Sequence, residues 1–117
     1  MSYEIHIPNW HPTPLNKMLN SHWAASRRMK LADAQMIAVY ANKASVPKAL
    51  GKRSVGLIIS YAKGQRSCDP DAYYKSTLDA LVKTGYLKND SAAWVSFEQP
   101  EFRRSEMSTT IILKDVA

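Results

Sequence analysis

The sequence predicts an α+β domain, a small mixed β-sheet with two helices packed on one face, in the order β-α-β-α-β-β. Apolar and polar residues alternate with a period of two over residues 3–7, 53–63 and 108–114, the pattern of strands with one face buried. Residues 23–43 and 70–84 space their apolar positions by three and four, as amphipathic helices do. The chain has 117 residues, 45% of them hydrophobic, enough to bury a core without disulfides or a structural metal. One sheet with two helices on a face is the simplest way to bury this set, and residues 1–117 are expected to form a single domain.

The first strand, 3–7, turns Tyr3, Ile5 and Ile7 inward and His6 outward, and Pro8 ends it. Residues 9–21 form a long turn-rich connection with Pro12 and Pro14. Its Trp10, His11, Asn16 and Lys17 suit a groove for bases and phosphates, although Trp10 would equally serve to cover a core edge. A helix is expected from His22 or Trp23 to about Lys43, with Met29, Ala32, Met36 and Tyr40 along one stripe. Arg27, Arg28 and Lys30 crowd its first turns, where the dipole disfavours cations. An anion such as a phosphate backbone would compensate them, and a plain solvated face is the alternative.

After a connection over 44–52, the second strand places Val55, Leu57, Ile59 and Tyr61 on the core face. It leads through Gly64, Gln65 and Arg66 into the second helix. Asp69 and Pro70 suit a helix start, Gly85 suits its left-handed stop, and Tyr74, Leu78 and Leu81 form its inward stripe. Residues 93–97 have strand character, with Trp94 in the core or at its rim. Residues 100–106 read as a polar turn in which Arg103 and Arg104 touch phosphate or solvate a hairpin tip. Residues 108–114 form the last strand.

Composition narrows the function. No apolar run reaches membrane-span length and the first residues lack the pattern of a secretory signal, so an intracellular, cytoplasmic protein without a membrane partner is expected. The single cysteine, Cys68, excludes an internal disulfide and a cysteine-rich zinc site. The net charge of +6 is unevenly placed. Residues 1–66 carry ten Lys or Arg against Glu4 and Asp33, a net +8, and residues 67–117 carry six against eight acids, a net −2. A basic body around an acidic centre suits a polyanion that is drawn in and cleaved with metal at that centre. A merely soluble basic protein would carry the same net charge.

The acidic centre is the run 67–75, continuing through Asp79 to Asn89 and Asp90. Asp71 and Lys75 lie four apart on a helix and share a face. The helix over 71–85 is about 21 Å long, and the five steps from Gly85 to Asp90, turned back and extended, recover about 17 Å. Asp90 therefore just reaches Asp69 and Asp71. Three carboxylates converging with one lysine make a cage of hard oxygens suited to magnesium or manganese, with the lysine facing a phosphate. An ordinary capped helix with a solvated Asp71/Lys75 pair would carry the same local pattern.

At Asp69-Pro70-Asp71, Lys75, Asp79-Ala80-Leu81 and Asn89-Asp90 the chain resembles the RusA family of Holliday-junction resolvases. That family carries Asp-x-Asp-Asn, a Lys four residues after the second Asp, an Asp-Ala-Leu, and an Asp-Asp pair after a short turn. Pro14-Leu15-Asn16 is similar to its N-terminal segment, and the likeness covers most of the chain. It implies a magnesium-dependent endodeoxyribonuclease, with manganese as an alternative ion, that works as a homodimer. Such an enzyme nicks strands symmetrically across four-way DNA junctions in recombination and repair. By position, Asp69, Asp71 and Asp90 would bind metal and Lys75 would assist at the scissile phosphate. Asn16, Lys17, Arg27, Arg28, Lys30 and Arg66, with Lys75, are the expected nucleic-acid contacts. Ala72 replaces the family's Asn, and Asn89 replaces the first acid of the Asp-Asp pair. Asp79 matches but lies about 12 Å along the helix from Asp71, so a structural role inside the fold is expected for it.

Three other readings compete. A restriction-type nuclease needs Asp-x-Lys or Glu-x-Lys, which the chain lacks. A non-catalytic module for branched or single-stranded nucleic acid, with Ala72 and Asn89 marking a decayed metal site, would bind without cleaving. A protein-interaction domain with a basic face would show little preference for branched DNA.

Overall fold

The structure, a computed structural model, describes residues 1–14, 17, 22–65 and 70–116, with Pro70 and Asp71 described by backbone alone. The elements follow the order β1 (Ser2–Pro8), α1 (Trp23–Lys43), β2 (Arg53–Ala62), a 3-10 turn (Pro70–Tyr73), α2 (Tyr74–Thr84), β3 (Val95–Phe97), β4 (Glu101–Ser105) and β5 (Ser108–Asp115). This is the expected order with one further strand.

β5 lies between β1 and β2 and is antiparallel to both, while β3 and β4 follow one another along the far edge of β2, parallel to it. The inward residues of the three long strands sit in register. Ile5 and Leu57 flank Ile111, and Tyr3 and Val55 flank Leu113. Ile5, Ile7, Val55, Leu57, Ile59, Tyr61, Ile111 and Leu113 are buried and share one core with Ala34, Ile37 and Ala41 of α1 and Leu78, Ala80 and Leu81 of α2. Both helices therefore cover the same face of the sheet, as the alternation required. No described helix is long and apolar enough to cross a membrane.

Two expectations need correction. The stripe that α1 buries is Ala34, Ile37 and Ala41 together with Asp33, whereas Met29, Met36 and Tyr40 are only partly buried and Ala32 is exposed. α1 packs on both α2 and β1, and small side chains let it approach both, leaving the larger ones on its flanks. The helix begins as expected, with His22 capping it through Nδ1, which accepts from the Ala24 N–H at 3.3 Å.

The polar turn expected over 100–106 is instead strand β4, exposed along its whole length. β2 pairs Val55 with Phe97 and Ile58 with Glu101, so three steps on β2 face four on the edge chain. That extra residue is a bulge, and it falls over 98–100, where Pro100 has no N–H to give the ladder. Charged residues and a bulge are how an edge strand avoids further pairing. The same devices removed the apolar alternation by which a strand is read.

Candidate active site at the start of the second helix

The end of β2 and the 3-10 turn before α2 are held by side chains from other elements. The Arg104 guanidinium on β4 donates to the Ala62 carbonyl at 3.1 Å and the Gln65 carbonyl at 2.5 Å. It also lies 5.4 Å from the ring centres of Tyr61 and Phe102. Arg104 thus ties down the end of β2, just before residues 66–69. On the other side, His11 packs edge-on against Tyr61 at 4.9 Å and near Tyr73 at 5.6 Å. Its Nε2 donates to the Ser60 carbonyl at 2.7 Å, and a carbonyl only accepts, which fixes that tautomer. His11 and the partly buried Trp10 pack at the core edge.

A second anchor joins three elements. Asp33 on α1 is 3% exposed, and its carboxylate accepts from the Thr13 N–H at 3.1 Å and hydroxyl at 3.3 Å. The Ser76 hydroxyl on α2 donates to the Thr13 carbonyl at 2.7 Å. Burial raises the Asp33 carboxyl above the usual range, against the pull of the two Thr13 bonds. The backbone at Thr13 is thereby fixed between the helices.

On this frame stands an exposed ion cluster. Lys75, in the first turn of α2, places its ammonium 3.2 Å from Asp79 and 3.5 Å from Asp90. The Asp79 carboxylate, by hydrogen bond and then by charge, and Asp90 more weakly, raise Lys75 above an ordinary lysine. It stays protonated, and at 55% exposure it remains open to a further anion. Asp90 arrives because α2 stops at Gly85, whose φ is 85°, and the chain turns back. Asn89 supports that turn, its side-chain carbonyl accepting from the Ser91 N–H at 3.1 Å.

The expected residues divide as follows. Lys75 and Asp90 come together. Asp71 lies one turn before Lys75 in the 3-10 segment, its side chain outside the described atoms, and Asp69, Arg66 and Asn16 lie outside the described residues. Asp79, expected inside the fold, instead faces the surface and pairs with Lys75. The spacing rule that joins Asp71 to Lys75 joins Lys75 to Asp79 equally well, and it was the signal available. Lys30 lines a small cleft with Ser76, Asp79, Ala80 and Lys83, so α1 contributes a cation beside the cluster. Arg27, Arg28 and Lys17 are exposed. Neither helix has an acid in its first turn; α2 carries Lys75 there, and α1 brings in Arg27 and Arg28 just after its first turn.

Among the described residues no three His, Cys, Asp or Glu side chains group closely enough to hold a metal. Asp90 is the one member of the expected metal set whose side chain is described. The carboxylate oxygens of exposed Asp90 and partly buried Asp79 beside Lys75 are the donor type that magnesium takes. The exposed ring of Phe97 beside Lys75 was not expected, and Arg104, expected to touch phosphate or solvate a turn, instead bonds the carbonyls of Ala62 and Gln65, a role that follows only from the pairing of the sheet edge. No protein-family model matches this chain, and no curated protein matches it either.

Proposed function

We propose that the protein is a metal-dependent endodeoxyribonuclease of the RusA type, cutting four-way DNA junctions in the cytoplasm as a homodimer, and that the start of α2 is its reaction centre. The observation that carries this reading is Lys75, exposed yet bracketed by Asp79 and Asp90, one helical turn beyond Asp71. An ordinary surface pair needs one partner. A lysine held by two acids, one helical turn after Asp71 in the chain, is a charge fixed in place for something else to meet.

In this reading Asp71 and Asp90, with Asp69, hold the divalent ion, which supplies Lewis acidity toward phosphoryl oxygens. Lys75 donates to a non-bridging oxygen of the scissile phosphate and balances the charge that grows there. Asp79 keeps the ammonium aimed and protonated. Asn89 offers no second carboxylate, and it shapes the turn that delivers Asp90. The exposed cations Lys17, Arg27, Arg28 and Lys30 take the flanking phosphates, where each contact steepens the salt dependence of binding.

The test is to separate binding from cutting. Asp71→Asn should keep its affinity for a synthetic four-way junction, measured by gel shift in EDTA, and lose cleavage in magnesium and manganese. An Asp71→Asn protein that cuts as well as wild type would sink the reading. The rival, a binding module with a decayed site, is favoured if wild type binds junctions tightly and cuts none in either metal.

A further inference from the structure

Beside Lys75 runs an open groove lined by Tyr74, Leu78 and Phe97 in addition to Lys75 itself. Its walls are apolar apart from the ammonium at the rim. Phe97 is 53% exposed, and it is held in place. The Tyr74 ring meets it at 5.7 Å and 76°, and the Tyr74 hydroxyl donates to the carbonyl of Glu98, the next residue along. β3 fixes the backbone of Phe97 by pairing it with Val55. An aromatic ring kept in one orientation, half exposed, next to a fixed cation, combines a stacking surface with a phosphate contact.

We propose that this groove is a base-binding site, taking one unstacked nucleobase of single-stranded or branched DNA against Phe97 while the neighbouring phosphate meets Lys75. The inference rests on the reading of Lys75 as a phosphate-facing residue, and it adds the form of substrate that the site accepts. In a continuous duplex both faces of every base are covered, so duplex DNA has nothing to offer the ring. Strand ends, gaps and branch points do. A second copy of the chain fits the groove poorly, because four side chains are far short of the roughly 20–30 residues per side of a stable interface.

The experiment measures binding in EDTA, where no cutting occurs, of a single-stranded oligonucleotide carrying 2-aminopurine and of a blunt duplex of the same sequence. Phe97→Ala should weaken single-strand binding by about 10-fold, within the range for losing one base–aromatic stack. It should also abolish the change in 2-aminopurine fluorescence and leave duplex binding unaltered. Phe97→Trp should retain all three properties. Phe97→Leu keeps the packing on Tyr74 but lacks an aromatic face, and it should behave as Phe97→Ala does, which covers the case in which the alanine variant unfolds. Equal losses on single strand and duplex, no loss on single strand, or a dimer in sedimentation that Phe97→Ala disrupts would each overturn the proposal. Because cleavage is not read, Phe97-dependent stacking stands even if wild type cuts no junction. Junction cutting with Phe97-independent binding would remove this inference alone.

Discussion

The two ends of α2 contrast sharply in what surrounds them. At the C-terminal end the helix is tied to several neighbours. Gly85 takes the left-handed conformation, the Lys48 ammonium donates to the Thr84 carbonyl at 2.6 Å and lies 4.0 Å from the Tyr86 ring, and the Ala49 N–H donates to the Gly85 carbonyl at 3.0 Å. Arg53, 2% exposed, donates to the Tyr86 carbonyl at 3.0 Å and to Asp115 at 2.8 Å. At the N-terminal end charges stand on the surface, held in place but not covered. One helix thus has an end built into the fold and an end that presents charge, and substitutions at the two should fail differently.

The largest expected effect is on activity at the N-terminal end. Lys75→Ala should lower junction cleavage by about 10²- to 10³-fold, as loss of one donor to a developing anion does. Its melting temperature should barely move, because the side chain is exposed. A Lys75→Ala protein that unfolds readily would erase the contrast. At the other end Arg53→Ala should lower stability by about 3 kcal/mol in denaturant titration, since it opens a cavity and strands the Tyr86 carbonyl. Junction binding per folded molecule should stay unchanged.

The Asp33 anchor tests whether the frame beneath the site is structural. Asp33→Ala should cost about 1–3 kcal/mol by leaving the Thr13 N–H without its acceptor. Asp33→Asn keeps an acceptor and should hold stability near neutrality. The sign of its pH dependence follows from the raised carboxyl. A carboxyl raised in the fold contributes fully below its unfolded value and loses that contribution as pH rises through the folded one. Asp33→Asn should flatten this part of the stability profile. Asp115 runs the opposite way. The hydrogen bond from Arg53, foremost, lowers its carboxyl, so its contribution is present above the unfolded value and is lost as pH falls through the folded one. Gly85→Ala, the smallest change, should cost about 1 kcal/mol for an alanine held in the left-handed region, with cleavage intact.

How much of this was legible follows from what each residue depends on. β1, β2, β5 and both helices were read from periodicity, because residues such as Ile5, Leu57 and Ile111 bury one face against a common core. The stop at Gly85 and the return of Asp90 toward the helix start were read from chain chemistry and reach. The α1 stripe was misread by about one position, since its packing against α2 and β1 together favours Ala34 and Ala41 over Met36 and Tyr40. β4 was unreadable because an exposed edge strand carries no alternation, and with it went the anchoring role of Arg104. Asp79 was assigned inward although its four-residue spacing from Lys75 pointed to the surface pair.

The measurement that bears most directly on the whole account is cleavage of a labelled four-way junction by the wild-type protein in magnesium or manganese, beside a linear duplex and an EDTA control. Paired nicks on opposite strands, absent on the duplex and in EDTA, are the predicted result. An intact junction in both metals, under conditions where the protein binds it, would contradict the assignment of the start of α2 as a reaction centre.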